Sequence, residues 1–451
     1  MPDLRQTARD IFEHALSECS VDRAFERNLQ IREDTAGAQL LIAGQHAVAL
    51  DRLRHMRIVA IGKASSAMLD ALLARLPLPA ACNIQGILIA PLPPQHLPTF
   101  MQYFCGGHPL PNQASFAGAT AALTMLHRLA DESPEDAACI FLISGGASAM
   151  MELPLDPSIT LADTIAFHRA LVASGATIIE MNCVRKHFSA VKGGRLALAA
   201  GNAQKISLLV SDVPPSNIDA LASGPSIADP TTIAECREVI ERYSLLDRFP
   251  ASVSRFFASP NLPETPKPGE LHSPAWKLLD SDELANTARL DAASHGFHVV
   301  IDNTCDDWTF EAAADYLLDQ LRHLRQEYPR ICLISVGEVA VKLPHDLSPT
   351  AKGGRNQHLA LYLATQLTHN DGSIAILSAG SDGIDGNSIA AGAVIDQNTI
   401  NTPEDHTEAQ RALQSCGSFN WLNAHNAALV TGPTGHNLRD LRILLAEPPT
   451  D

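Results

Sequence analysis

At 451 residues, with 46% hydrophobic and 18% charged residues, the chain has apolar mass for more than one packed core, so two globular domains are expected. A net charge of −17 argues against a nucleic-acid or anionic-membrane surface, and no run approaches the length of a membrane span. Nine cysteines without C-x-x-C or a zinc-type cysteine–histidine block read as small buried hydrophobes.

The chain opens on MPDLRQTARDIFEHALSECS, where Leu4, Ala8, Ile11, Phe12, Ala15 and Leu16 mark an amphipathic helix. Its acids do not suit a secretory signal or transit peptide, and a cytoplasmic location is expected. Arg57–Ile61 reads as a strand that turns through Gly62-Lys63-Ala64-Ser65 directly into a helix. A lysine thus stands at a strand end, although the upstream glycine of a P-loop is missing. Gly86–Ala90 is a second strand. In the loop Gly106–Asn112, stiffened by two prolines, His108 either faces a ligand or satisfies loop backbone. Cys139–Ile143 is a buried strand ending in Ser144-Gly145-Gly146-Ala147-Ser148. Small residues there let backbone amides approach a phosphate, and would equally serve close helix–strand packing.

Ile178–Pro225 is the densest stretch. Ile178, Met181, Val184, Phe188 and Val191 predict a helix with one apolar face, edged by Arg185 and Lys192. Lys192-Gly193-Gly194-Arg195 follows. The strand Ile206–Val210 then delivers Ser211 and Asp212 at its carboxyl end, where open α/β sheets place ligands. The same tetrapeptide returns as Lys352-Gly353-Gly354-Arg355 before a helical pattern from Asn356 to Leu367. Two such turns, each feeding a helix start, predict two anion-facing sites. A single one would read as solvated cations.

Prolines cluster from Pro250 to Pro274 and predict an extended connector over 251–274, between an N-terminal domain (1–250) and a C-terminal domain (275–451). Beyond it, strands near Lys277–Leu279, Phe297–Ile301, Ile331–Ser335, Ile374–Ser378 and Leu441–Ala446 alternate with helices near Leu284–Ser294, Phe310–Glu327 and Asn356–Leu367. Gly337-Glu338 is placed within a strand pair. Ser378–Gly386 puts Asp382 and Asp385 in a glycine-rich loop, a candidate divalent-metal or hydroxyl site without the EF-hand pattern. In the N-terminal part, strand–helix alternation predicts a largely parallel sheet with helices on both faces; the later elements make a second α/β unit. No G-x-G-x-x-G follows any strand, which lowers a nicotinamide-dependent reading.

The segments AIGKAS (60–65), GGHPLPN (106–112), LISGGASA (142–149), NCVRKHFSAVKGGRLA (182–197), ASGPS (222–226), ETPKPG (264–269), GEVAV (337–341), GGRNQ (353–357), AGSDGIDG (379–386) and TGPTGHN (431–437) stand in one order over nearly the whole length. In this the chain resembles the class II glycerate kinases (glycerate 2-kinases) with a C-terminal MOFRL domain, often labelled hydroxypyruvate reductase. The resemblance implies two α/β domains: an N-terminal Rossmann-like parallel sheet with flanking helices, and a second, MOFRL-containing domain. It further implies ATP- and Mg²⁺-dependent phosphorylation of the 2-hydroxyl of D-glycerate in a cleft between them, by a monomer or homodimer. Lys63 matches the family's catalytic lysine and Arg355 its catalytic arginine. Asp212 and Asp382 are candidates to hold Mg²⁺, and Asp212 also to accept the hydroxyl proton. Ser144, Gly145, Gly146, Ser148, Arg185, Lys192, Gly193, Gly194, Arg195, Gly354 and Asn356 are candidates to hold substrate or phosphate. The chain departs from the family at Val336, His358, Ile389 and the PPSNIDA loop after Asp212. Those departures keep open a kinase of another small hydroxy acid or a non-catalytic ligand-binding paralogue. A hydroxypyruvate reductase would need the missing dinucleotide fingerprint.

Overall fold

The structure, a computed structural model, describes residues 3–35, 37–77, 82–132, 136–213, 215–344, 347–368 and 371–448. The chain divides into two compact units, Val21–Leu278 and a second that joins Met1–Ser20 to Leu279–Asp451. The opening helix α1 (Leu4–Glu18) begins at Asp3, whose side chain accepts from the Arg5 amide, and buries Ile11, Phe12, Ala15 and Leu16. It therefore belongs with the later half of the chain, not with the 1–250 domain expected from the sequence.

In the unit Val21–Leu278, α2 (Val21–Asn28) leads into an antiparallel sheet of β1 (Leu29–Asp34), β2 (Gly37–Ile42) and β3 (Gln45–Ala49) that the sequence reading did not foresee. The main sheet contains β4 (His55–Ile61), β5 (Asn83–Ala90), β6 (Met101–Cys105), β7 (Ala137–Ser144), β8 (Gln204–Val210) and β9 (Ala275–Leu279), ordered β6-β5-β4-β7-β8-β9. Every pairing from β6 to β8 is parallel. β7 is buried at all positions, as a central strand covered on both faces must be. Its helices are α3 (Ser65–Arg75), α4 (Gln113–Glu132), α5 (Ala147–Met150), α6 (Leu161–Val172), α7 (Ile178–Phe188), α8 (Arg195–Leu198), α9 (Ile233–Arg242) and α10 (Ala251–Ala258). Ile61, Ile89, Leu126, Leu129 and Phe141 share one core cluster. A second gathers Phe167, Phe188, Phe249 and Phe257, with the first two rings 4.2 Å apart and stacked.

Three expectations are corrected here. α7 ends at Phe188, so Val191 and Lys192 lie beyond it, and Ile178 is exposed. The segment 251–274 is no extended connector: it carries α10, and Val253, Phe257 and Leu262 are buried in the second core. Val253 and Phe257, four residues apart, give that helix an apolar face, and the next prolines fall after its end. The strand near Lys277–Leu279 is an edge of this first sheet and not part of the later unit.

In the other unit the strands are β10 (His298–Ile301), β11 (Ile331–Val336), β12 (Ser373–Gly380), β13 (Gly392–Asp396), β14 (Ala428–Leu429) and β15 (Asp440–Glu447), ordered β10-β11-β15-β12-β13-β14. Only β10 and β11 pair in parallel. The last strand, β15, thus inserts at the sheet's centre, buried from Asp440 to Ala446. The helices are α11 (Ser281–Ser294), α12 (Phe310–Glu327), α13 (Arg355–Gln366), α14 (Pro403–Gln414) and α15 (Ser418–Ala424). α1 packs on α11, β12 and β15, whereas α12 and α13 share a cluster with Leu333, Ile376 and Leu444. Gly337-Glu338 lies past the end of β11 and not within a strand pair. Among the described residues no helix is long and apolar enough to cross a membrane.

Candidate active site

In the unit Val21–Leu278, the turns that leave β4 and β7 are tied to each other. Gly62 has φ 116°, and any side chain there would run into Ser144. Ser144 is buried, and its Oγ accepts from the Ala64 amide at 3.0 Å; the Lys63 amide donates to Gly145 O at 2.9 Å. Gly146, at φ 81°, opens α5. A Cβ on it would lie 3.3 Å from Lys63 Cγ and 3.1 Å from His108 Cδ2. Gly145 backs onto the Asp212 carboxylate so closely that a side chain there would collide with it. One glycine turn therefore brings Lys63, His108 and Asp212 together at the carboxyl ends of β4, β7 and β8. Lys63 is exposed and Asp212 half-buried. Burial, and then the Lys63 charge, lower the His108 pKa and favour the neutral imidazole.

A polar chain continues from this turn. Ser148 Oγ and Ser223 Oγ share a hydrogen bond of 3.0 Å. Ser223 Oγ donates to Asn182 Oδ1 at 3.1 Å, which also accepts from Arg185 at 3.2 Å. Arg185 Nε is buried without a hydrogen-bond partner among the described residues. Burial lowers the Arg185 pKa, against the pull of Glu152.

The first Lys-Gly-Gly-Arg turn is occupied by the protein's own groups. Lys192 is fully buried and ion-paired with Glu152, which also bonds His168 at 3.0 Å. Burial would raise the Glu152 pKa; Lys192 and His168 outweigh it and hold it at about 2. The Gly193 and Gly194 amides donate to Ser223 O at 3.0 Å and Gly224 O at 2.7 Å. Arg195 donates to Pro263 O at 2.9 Å and begins only the short α8. The tetrapeptide is an internal brace whose amides are spent on backbone.

The second Lys-Gly-Gly-Arg turn does open α13, beside a cavity of about 680 Å³ whose lining includes Glu338, Gly354, Arg355, His358, Asp382 and Asp385. Arg355 is gripped by two carboxylates. Nε donates to Asp440 Oδ2 at 2.6 Å, and an Nη donates to Asp440 Oδ1 at 3.0 Å and lies 2.7 Å from Glu338 Oε1. Burial would lower its pKa, but Asp440 and Glu338 outweigh that and raise it. The helix start is already capped: Asp385 accepts from the Asn356 amide at 3.1 Å and the Gln357 amide at 2.8 Å, and a side chain on Gly354 would overlap it. Asn356 is buried, accepting from Ser378 Oγ at 2.7 Å. Gly354 and Asn356 therefore shape the turn, and Asp385 holds the position expected for a phosphate. Burial, the largest cause, pushes the Asp385 carboxyl up to about 7. Asp382 is half-buried, with its Oδ1 accepting from the Ile384 amide at 3.1 Å.

Sequence reasoning missed Glu152, Asp440 and the capping role of Asp385. A lone acid inside the apolar run Met150–Leu155 was the available signal for Glu152. Asp440 gave none, since an acid before a strand looks like a turn residue. Of the departures, His358 is buried with its ring edge-on to Phe310 at 4.5 Å, and Ile389 is 69% exposed. Val336 is the buried last residue of β11.

Residues 7–258 match a family model described as a domain of unknown function, DUF4147, and residues 331–440 match the MOFRL family. A D-glycerate 2-kinase of Thermotoga maritima is 34% identical over 75% of this chain and 78% of its own. A protein of Agrobacterium vitis called a putative hydroxypyruvate reductase is 34% identical over 86% of both chains. The crystal structure of a Thermotoga maritima glycerate kinase superposes with a TM-score of 0.80 at 29% identity, covering 98% of this chain and 99% of that one. By sequence, by domain pairing and by fold, the chain belongs to the class II glycerate kinase family, the glycerate 2-kinases that carry a MOFRL domain.

Proposed function

We propose that this protein transfers the γ-phosphoryl group of ATP to the 2-hydroxyl of D-glycerate, giving 2-phosphoglycerate and ADP. The carrying observation is the glycine turn against which an exposed lysine and a carboxylate both pack at the carboxyl edge of a parallel sheet. Phosphoryl transfer asks a protein mainly to position its reactants and to set cations against the charge of the transferred group. Lys63 and Arg355 are cations of that type. Arg355 has its own direction fixed by Asp440 and Glu338. Arg185, steered by Asn182 and carrying a buried N–H without a hydrogen-bond partner among the described residues, suits the glycerate carboxylate. Asp212 is the residue proposed to accept the hydroxyl proton.

The donor set suits Mg²⁺ only in part. Asp212 and Asp382 are half-buried carboxylates that follow β8 and β12, and among the described residues neither belongs to a group of three metal-ligating side chains. That fits an ion that takes most of its ligands from nucleotide phosphates and water. Mg²⁺ held there would neutralise phosphate charge.

An assay with Mg-ATP and D-glycerate, with the product read by NMR, tests the reading, and NADH with hydroxypyruvate runs in parallel. ADP with 2-phosphoglycerate is expected. NADH oxidation without ADP formation would overturn it.

A further inference from the structure

Behind the Arg185 face of α7 lies a cluster that the kinase chemistry does not use. Cys183 and His187 stand one helical turn apart on α7, and Cys236 comes from the first turns of α9, which packs against it. Two thiol sulfurs and one imidazole nitrogen lie within 4.8 Å of one another. Cys183, His187 and Cys236 are 4%, 0% and 0% exposed. The cysteine–histidine spacing looked uninformative in the sequence because the third group arrives 49 positions after His187, from another helix (236 − 187).

We propose that Cys183, His187 and Cys236 form a structural site for a thiophilic divalent cation of the zinc type. In a tetrahedral zinc site with Zn–S near 2.3 Å, two sulfurs sit about 3.8 Å apart, so this triangle needs to close by no more than about 1 Å. Two thiolates and a neutral imidazole around a divalent ion sum to zero charge, the arrangement burial tolerates best. A monovalent ion of the same softness would leave one net negative charge in an apolar core that includes Phe167, Phe188 and Phe257. A partner for the outer imidazole nitrogen is also present. His187 Nε2 lies 2.9 Å from Glu264 Oε1, and the other Glu264 oxygen accepts from the Ile233 amide at the start of α9. A carboxylate on the far nitrogen fixes which imidazole nitrogen faces the thiols, a usual companion of metal-bound histidine. That near nitrogen, Nδ1, lies 2.8 Å from Cys183 O, a contact it would exchange for the metal. A water would take the fourth position. Such an ion would clamp α7, and with it Asn182 and Arg185, to α9.

The test uses the full chain, reduced and stripped of metal. Cd²⁺ titration should raise a sulfur-to-metal charge-transfer band that saturates at one equivalent. Zn²⁺ should displace Cd²⁺ and protect Cys183 and Cys236 from alkylation, as read by peptide mass spectrometry. Cys236→Ala and His187→Gln should abolish the band, and Glu264→Gln should weaken binding roughly 10- to 100-fold. The alkylation readout on the unmutated chain stands even where a variant fails to fold. Absence of a saturating band together with equal alkylation of both cysteines with and without Zn²⁺ would overturn the proposal, as would uptake of Cu⁺ alone.

Discussion

Lys63 and Arg355 stand in different electrostatic settings. Lys63 is exposed, and no ion pair to it is among the described contacts, so its removal touches the reaction and little else. Lys63→Ala should lower kcat about 10²- to 10³-fold, the usual loss for one charge-stabilising donor, with an unchanged melting temperature. Turnover within a few-fold of the parent would take Lys63 off the catalytic set. Arg355 is instead the counter-charge of Asp440, which is 2% exposed. Arg355→Ala leaves that carboxylate uncompensated; breaking a fully buried pair from one side costs about 3–5 kcal/mol, and the 35% exposure of the Arg355 side chain puts this loss below that range. A large drop in the urea midpoint should therefore accompany the loss of activity. The sequence showed both cations at glycine turns, yet it held nothing that would tell a free one from a pinned one. That distinction lies in Asp440, 85 positions away (440 − 355).

At the scale of elements, the two Lys-Gly-Gly-Arg turns show what a repeated motif can and cannot say. Both were legible as tight turns before helical residues, since glycine pairs and helix-forming runs are local signals. Whether their amides meet a ligand was not legible, because the competing acceptors, Ser223 O, Gly224 O and the Asp385 carboxylate, are distant in sequence. The Asp385 cap on α13 makes a pH prediction. Burial raises its carboxyl from 3.8 to about 7, so between those values the folded chain keeps a proton that the unfolded chain has released. The stabilising contribution is complete below about pH 4 and is lost as pH rises through about 7. Asp385→Asn removes that proton linkage. The fall in stability from pH 5 to pH 8 should be smaller in the variant than in the parent, by an amount of the order of a few kcal/mol. Parallel urea midpoints for the two proteins across that range would show that Asp385 titrates normally.

For the molecule as a whole, the parallel sheet of the middle unit was the most legible part. The apolar runs Ile58–Ile61, Cys139–Ile143 and Ile206–Val210 lead into Gly62, Ser144 and Ser211, and β4, β5, β7 and β8 fall where the runs predict. The division of the chain was not legible, because no local pattern records which sheet a helix covers. The proline cluster marked a change of composition that turns out to be packed inside one unit, whereas the real partition hands α1 to the far end of the sequence. Phe12 and Ile11 are wholly buried in α1, which packs on α11, β12 and β15. Phe12→Ala should cost about 3–5 kcal/mol, and that loss should be confined to one unit. Amide hydrogen exchange on the full chain reads the confinement directly, since opening energies differ between cooperative segments. Exchange should accelerate in α11, β12 and β15, elements more than 260 positions downstream of Phe12 (281 − 12 = 269), and stay at parental rates in β4, β7 and β8. Acceleration in β4 and β7 instead would assign the opening helix to the Val21–Leu278 unit and return the chain to the division its composition suggests.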